Sequence, residues 1–213
     1  MFKEFVRKIS IELKKDLPGF TAQQLMDPIR RVKFDEYLSE KEVPKKSAVL
    51  ILFYPDPLQL SIKTVLILRP ENEVGSHAGQ VSFPGGGYDV SDKDLSETAL
   101  REAEEEIGAD RQYIAVAGAL TPLYIPVSNY MVFPFVGIAN IRPEFKIHPI
   151  EVESLLECDI NEFLLEENKT KVLRHIKLAK KDIEVPCYRI NKKIIWGATA
   201  MMISELEEML RKL

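Results

Sequence analysis

The sequence predicts an α+β sandwich built on a mixed β-sheet. Runs of β-branched and aliphatic residues recur from Ser47 onward and are interleaved with only a few helical patterns. These runs do not alternate with helices in the regular way that a doubly wound parallel sheet requires. Amphipathic patterns near both termini, with one more in the middle of the chain, supply the helical part of the fold.

The first 45 residues are predicted to form a helical extension. The spacing of apolar residues predicts a helix over 2–17 and a second, shorter one over 21–32. A segment of this length is too short to build a core of its own. We therefore expect an N-terminal helical extension over 1–45, followed by one domain over 46–213.

The pattern becomes that of β-strands after the extension. The segments "AVLILFY" (48–54) and "IKTVLILR" (62–69) consist largely of β-branched and aliphatic residues and flank a turn-prone link. Further strands are predicted at 80–83, 113–120, 130–139, 151–157, 171–177, 183–190 and 193–196. Helices are predicted over 95–107, where Gly108 is a typical C-terminal stop, and over 197–213.

Composition and charge argue against several classes of function. The net charge of −4 argues against nucleic acid as the main partner, which normally requires a basic face. No apolar run approaches the ~18 residues of a membrane-spanning helix, and no secretory signal opens the chain. Cys158 and Cys187 lie far apart without metal-ligand spacing, so we expect two buried thiols and a cytoplasmic protein.

The helix predicted over 95–107 carries an unusual concentration of carboxylates. Glu102, Glu105 and Glu106 fall on one face at i, i+3 and i+4, whereas Glu104 points away from them. Three like charges on one face suit a hard divalent cation such as Mg²⁺, which prefers oxygen ligands. A solvated acidic face is the simpler alternative. The glycines at 85–87, predicted to form a turn, favour the cation site because glycine permits close backbone approach to a ligand.

This segment resembles the Nudix box, the defining motif of the Nudix hydrolases. Residues 101–109, "REAEEEIGA", match the second half of the motif in full. The first half departs from it, because Lys93 stands where a glutamate is expected and the acidic residue Asp92 falls just before it. The coenzyme A pyrophosphatase branch of the family shows the same departure. Its upstream signature is similar to "HAGQVSFPGG" (77–86), and the resemblance continues to the end of the chain.

The resemblance implies a Nudix-type α/β/α sandwich that hydrolyses the pyrophosphate bond of a nucleoside diphosphate derivative. It implies Mg²⁺ or Mn²⁺ as cofactor, held by Glu102, Glu105, Glu106 and a backbone carbonyl of Gly86. Arg101 would orient a glutamate. The general base would be a motif glutamate or a residue on a later loop, for which Glu151 is a candidate.

Residues upstream of the helix are expected to contact the substrate, a coenzyme A-like nucleotide. These are Gly85 and Gly86, together with Arg69, which could reach the substrate from its strand. For His77, the sequence favours a substrate contact and a structural hydrogen bond about equally. Trp196, His175 and the aromatic residues of 124–135 are interpreted chiefly as packing or surface positions.

The substrate and the assembly stay open at the level of sequence. The branch places basic residues just before its signature histidine, but the corresponding loop "PENEVGS" (70–76) contains no Lys or Arg. Coenzyme A or its thioesters, giving 3′,5′-ADP and 4′-phosphopantetheine, are therefore weighed against ADP-ribose or another nucleoside diphosphate derivative. A non-catalytic nucleotide sensor is a third alternative. The N-terminal helix could cover the sandwich, gate the site or mediate a homodimer.

Overall fold

A computed structural model describes residues 1–28, 43–56, 58, 60–71, 77–176 and 180–213. The main sheet contains eight strands in this part of the chain, with the order β3-β2-β1-β7-β5 along its path. Three short pairings lie off that path, where β4 pairs with β1, β6 with β7 and β8 with β2. The strands are β1 (Lys45–Asp56), β2 (Ser61–Leu68), β3 (Val81–Ser82), β4 (Gly85–Gly87), β5 (Ile114–Ala119), β6 (Leu123–Ile125), β7 (Tyr130–Ala139) and β8 (Ser154–Asp159).

The sheet is mixed, as the sequence predicts. Strands β1 and β7 run parallel, with Ala48 opposite Phe133 and Leu50 opposite Phe135. The other pairings of the main sheet, among the described residues, are antiparallel.

Strand β1 is buried on both of its faces. Leu50 and Leu52 point into one hydrophobic cluster, whereas Ile51 and Phe53 point into another. Successive side chains of a strand alternate between the two sides of a sheet. The unbroken apolar run of this segment therefore reflects a sheet that is covered by helices on both sides.

Four α-helices lie in the described ranges, namely α1 (Phe2–Glu12), α2 (Gly19–Gln23), α3 (Leu95–Ile107) and α4 (Gly197–Leu210). Ala99, Ala103 and Ile107 of α3 pack on the face that carries Leu50 and Leu52. Helices α1 and α4 pack on the opposite face, through residues such as Ile9 and Leu206. The result is the expected three-layer α/β/α arrangement. Among the described residues, none of the helices has the length and apolarity needed to span a bilayer.

A second sheet of three antiparallel strands follows β8. It comprises β9 (Lys169–Ile176), β10 (Lys181–Ile190) and β11 (Lys193–Trp196), in the order β11-β10-β9. Residues 177–179, which follow β9 in the sequence, fall outside the described ranges. Strand β11 leads directly into α4, so the second sheet is anchored to the core at Trp196.

Glu205 on α4 ties the N-terminal segment to the core. Its buried carboxylate accepts hydrogen bonds from the backbone N–H of Gly19 (3.2 Å), the Gln23 amide (2.8 Å) and the Thr121 hydroxyl (2.6 Å). Since unpaired buried carboxylates are costly, these bonds hold α2 against α4. The division of the chain at residue 45 stays a prediction.

Three local expectations were wrong. The helix predicted over 2–17 ends at Glu12, and the strand predicted at 151–157 begins only at Ser154. The glycines at 85–87 form a short strand, not a turn, and pair antiparallel with Ser47–Val49 of β1. The second helix is short, with α2 continuing as a 3₁₀ turn over Gln24–Met26, and residues 29–32 of the predicted span lie outside the described ranges. The predicted burial of both cysteines, as free thiols, is confirmed.

Candidate active site

Helix α3, which carries the carboxylates, begins and ends where the sequence predicts. Asp94 caps its N-terminus by accepting hydrogen bonds from the backbone N–H groups of Ser96 (2.9 Å) and Glu97 (3.1 Å). Gly108 ends it in the left-handed conformation, with φ of 67°. Both ends are thus fixed by local chemistry, which sets the rotation of the helix and the direction of each glutamate.

The three glutamates of the predicted face have different surroundings. Glu106 is 2% exposed and belongs to the buried side of α3. The side chain of Glu102 is 16% exposed, whereas that of Glu105 is 56% exposed. Glu104 points away, as predicted, and pairs with Arg111 at 3.2 Å. On this face, Glu106 is therefore buried, Glu102 is partly buried and Glu105 is solvated.

Burial shifts the pKa values of Glu102 and Glu106, the two less exposed carboxylates of this face. It raises the pKa of Glu106 to about 8, against the opposing effects of a hydrogen bond from Gly85 and the nearby Arg69 charge. Burial also raises the pKa of Glu102. The Glu102 charge raises the pKa of Glu106 further, the Glu105 charge does the same for Glu102, and Glu151 adds to both shifts. A site where several carboxylates resist ionisation together is one that a cation would stabilise.

The glycine strand β4 forms the floor of this site. The backbone N–H of Gly85 donates a 2.8 Å hydrogen bond to Glu106 Oε2. Gly85 has φ of 155°, and a Cβ there would overlap the carbonyl oxygen of Ala48. A Cβ at Gly86 would overlap the carboxylate of Glu102, whereas Gly87 has open space. Only glycine at 85 and 86 allows the strand to lie directly against both carboxylates.

Arg101 connects the glutamates to an acid on the preceding loop. Its guanidinium donates to Asp92 at 2.9 and 3.0 Å, to Glu102 at 2.8 Å and to Glu105 at 3.1 Å. It also donates to the Gly87 carbonyl at 3.2 Å. The expected pairing with Glu105 is present, but Asp92 is the buried partner. Arg101 is therefore anchored by Asp92 and fixes the positions of Glu102 and Glu105.

Glu151 lies near the carboxylates, at the end of a turn that covers the C-terminus of α3. The backbone N–H of His148 donates to the Glu106 carbonyl at 2.8 Å, and the His148 carbonyl accepts from Glu151. The Glu151 side chain is half exposed and lies 3.7 Å from the His148 ring. The charge of this solvated carboxylate raises the pKa of both Glu102 and Glu106.

A cleft of about 700 Å³ opens beside the glycine strand. Gly85, Gly86, Arg69 and His77, the four positions predicted to contact the substrate, all line it together with Gly87. The ring nitrogens of His77 lie 3.3 Å from Ser128 Oγ and 3.3 Å from Gln80 Oε1. His77 therefore forms structural hydrogen bonds and also lines the cleft.

The glutamates are not among the residues that line the cleft. Contact between the two features runs through Gly85, Gly86 and Arg69, each of which touches the cleft on one side and a glutamate on the other. A ligand in the cleft would meet the carboxylates at the glycine strand.

The sequence interpretation missed part of the cleft wall. Trp196, His175 and Tyr130 line the cavity, although their patterns favour packing or surface positions. Trp196 follows β11 at the point where the chain enters α4, and its ring carries the Arg174 guanidinium 5.9 Å from its centroid. The turn into α4 at Gly197 was the available signal, because residues at such junctions often face a cavity.

Whether these residues suit a divalent cation can be judged from the donors present. In the described part of the chain, no three acidic, histidine or cysteine side chains stand gathered as a ready metal cluster. Glu102 and Glu106 nevertheless provide two neighbouring, poorly solvated carboxylates, and the lack of a Cβ at Gly86 lets the Glu102 carboxylate lie against the glycine strand. Oxygen donors of this kind are those that Mg²⁺ and Mn²⁺ prefer, so the site fits such an ion.

Comparison with known proteins agrees with the helix motif. The sequence profile of the NUDIX domain matches residues 44–177. An uncharacterized Nudix hydrolase, NudL, of Photorhabdus laumondii is 36% identical over 149 residues, which cover 68% of this chain and 76% of that protein. The mitochondrial Nudix hydrolase 15 of Arabidopsis thaliana is 37% identical over 164 residues, covering 74% of this chain and 55% of that one.

Solved structures support the fold. The NUDIX domain of Shewanella oneidensis NrtR, crystallised with ADP-ribose, superposes with a TM-score of 0.53 over 84% of this chain and 99% of that one. At 15% identity this likeness concerns the fold alone. The profile spans more than half of the chain, and the relatives that match it are enzymes of one family. The protein is therefore a member of the Nudix hydrolases.

Proposed function

We propose that this Nudix hydrolase cleaves the pyrophosphate bond of coenzyme A or an acyl-coenzyme A in a reaction that depends on Mg²⁺ or Mn²⁺. The observation that carries the proposal is the buried Glu106 and the partly buried Glu102 behind a glycine strand that lines a cleft. Hydrolysis adds the oxygen of water to one phosphorus and breaks its bond to the bridging oxygen. The expected products are 3′,5′-ADP and 4′-phosphopantetheine.

Charge is the main obstacle to this reaction, since an anionic diphosphate repels an incoming nucleophile. A bound divalent ion would neutralise the diphosphate and make water more acidic. Glu102, Glu105 and Glu106 would hold the ion, with the Gly86 carbonyl as a further oxygen donor. Arg101 acts as a positioning residue, because its bonds to Glu102 and Glu105 fix where their oxygens lie. Arg69 would face the phosphates from the cleft wall.

A carboxylate must accept the proton that water loses. Glu151 is the candidate we favour, because it is half exposed, its turn is bonded to the Glu106 backbone, and its charge acts on both Glu102 and Glu106. Its partner His148, 3.7 Å away, would steady the side chain. A general base of this type is expected to contribute about 10²–10⁴-fold to the rate.

The charge distribution favours a substrate with an additional anionic group. The sequence over 169–193, which includes β9, β10 and the start of β11, contains nine Lys and Arg against two Asp and Glu, a net charge of +7 within a chain of −4. Three residues of the second sheet, His175, Ile176 and Trp196, line the cleft. The 3′-phosphate of coenzyme A could thus be met by cations from this sheet, although the loop 70–76 has none.

ADP-ribose or another nucleoside diphosphate derivative is the nearest rival. The structural neighbour NrtR was crystallised with ADP-ribose, which shows that the fold can hold that ligand in that protein. The net positive second sheet favours coenzyme A over this alternative, since ADP-ribose has no 3′-phosphate to pair with it.

A substrate panel tests the proposal. Coenzyme A, dephospho-coenzyme A and ADP-ribose are incubated with the protein in Mg²⁺ or in chelator, and products are identified by mass spectrometry. We expect 3′,5′-ADP from coenzyme A in Mg²⁺ only. Faster release of AMP from ADP-ribose would transfer the assignment to the rival, and turnover that persists in chelator would remove the metal-dependent mechanism.

A further inference from the structure

Arg69 lies between the substrate cleft and the most buried glutamate. Its Nη1 is 3.7 Å from Glu106 Oε1, and its side chain is 23% exposed. The same arginine lines the cleft next to Gly85 and Gly86. It can therefore face either the carboxylate behind the glycine strand or a ligand in front of it.

The two oxygens of Glu106 are engaged on different sides. Oε2 accepts the hydrogen bond from the Gly85 backbone, which is fixed by the strand. Oε1 is the oxygen nearest to Arg69, and that contact is longer than a hydrogen bond. Of these two interactions, the side-chain contact is the one that can be given up without moving the backbone.

A dication and Arg69 would compete for this oxygen. Two positive charges a few ångströms apart in a poorly solvated site repel each other strongly. A diphosphate in the cleft would remove the conflict, because the guanidinium could turn from the carboxylate to the phosphate oxygens. Arginine suits this exchange, since the same planar donor set pairs with carboxylate and with phosphate.

We infer that Arg69 exchanges partners during loading: it pairs with Glu106 in the empty site and with the diphosphate of the substrate once a divalent ion occupies Glu106. The inference rests on the proposed function, in which Glu106 holds the ion. By linkage, ion and substrate then strengthen each other's binding. The site would hold an ion weakly until a diphosphate arrives.

The exchange predicts that replacing Arg69 changes the affinities for Mg²⁺ and for a diphosphate in opposite directions. In Arg69→Gln, the competing charge is gone, so Mg²⁺ alone should bind about three- to tenfold more tightly. The non-hydrolysable diphosphate α,β-methylene-ADP, in saturating Mg²⁺, should bind about tenfold more weakly. Arg69→Lys retains the charge and should keep Mg²⁺ affinity within twofold of the parent. Arg111→Gln, on the far side of α3, is the matched control for loss of an arginine.

Calorimetry at pH 8.5 measures both affinities without turnover, and thermal melting confirms that each variant is folded. Opposite changes in Arg69→Gln, absent from Arg111→Gln, support the exchange. Unchanged Mg²⁺ affinity would reduce Arg69 to a phosphate contact, and weaker binding of both ligands would make it a structural residue; either result overturns the inference alone. If the parent protein binds no Mg²⁺ with or without the analogue, the proposed function falls as well.

Discussion

Arg101 donates to both carboxylate oxygens of Asp92, through Nε at 2.9 Å and through Nη2 at 3.0 Å. Asp92 also accepts from the Thr98 hydroxyl at 2.8 Å and from the Asp89 backbone at 3.1 Å. The residue before Lys93 thus provides the acid that the motif lacks at position 93. Because Arg101 also holds Glu102 and Glu105, the geometry of the glutamates depends on a residue outside the helix.

Asp92→Asn should weaken the anchoring of Arg101. Loss of the buried charge is expected to cost about 2–3 kcal/mol of unfolding free energy at pH 7 and to lower turnover by releasing Arg101. The Arg101 guanidinium holds the pKa of Asp92 well below its usual range. A depressed folded-state pKa gives stability that is present above the unfolded value of ~3.9 and is lost as pH falls further.

Chemical denaturation of the parent protein and Asp92→Asn from pH 8 to pH 3 measures this dependence. The difference between them should stay constant down to about pH 5 and narrow below about pH 4. Lys93→Gln, at the exposed neighbouring position, should match the parent throughout. A constant difference at all pH values would show that Asp92 is not held ionised by Arg101.

Gly86→Ala should separate activity from stability. The new Cβ would overlap the Glu102 carboxylate, which is the free end of a flexible side chain. The side chain can move away at a cost of about 1 kcal/mol or less, but it then leaves the position from which it would serve the ion. We expect turnover to fall by more than about tenfold. Gly87→Ala, where open space awaits the methyl group, is the control and should retain activity.

Gly85→Ala should act on stability instead. The Cβ would overlap the Ala48 carbonyl and the Val49 backbone, neither of which can yield without opening the β1–β4 pairing. The φ of 155° adds strain for any L-residue. A loss of about 3 kcal/mol or more in unfolding free energy is expected, measured by urea denaturation against Gly87→Ala. Similar midpoints for the two variants would contradict the tight fit of this strand.

Arg174→Gln should reduce the preference for coenzyme A. The guanidinium lies over Trp196, which lines the cleft, and belongs to the net positive sheet. We expect kcat/KM for coenzyme A to fall about tenfold, with little change for dephospho-coenzyme A, which has no 3′-phosphate. Arg7→Gln, in an exposed pair with Glu4 on α1, is the control. Equal losses on both substrates would place the 3′-phosphate elsewhere.

The sequence was most informative where local chemistry and periodicity agree. The bounds of α3 were predicted in full because Asp94 and Gly108 act on neighbouring backbone groups. Strand β7 was predicted in full as well, because its apolar run extends without interruption to the loop after Ala139. The glycines at 85–87 were misassigned because glycine favours turns, whereas here β1 imposes an extended pairing from a distant part of the chain.

Site features that depend on tertiary contacts could not be predicted. Helical spacing placed Glu102, Glu105 and Glu106 on one face, but it could not show that Glu106 is buried and Glu105 solvated. Nor could it show the contact between Arg69 and Glu106, which joins β2 to α3 across the glycine strand. The role of Asp92 was open for the same reason, since Arg101 lies nine residues further along the chain.

Turnover of a matched pair of glutamate variants tests the central claim most directly. Glu106→Gln and Glu104→Gln make the same side-chain replacement within one turn of α3, but of these two residues only Glu106 lies behind the glycine strand. Coenzyme A hydrolysis in Mg²⁺ should fall by more than about 10²-fold in Glu106→Gln and stay near the parent rate in Glu104→Gln. Equal rates for the parent protein and Glu106→Gln would contradict the role assigned to the buried carboxylates.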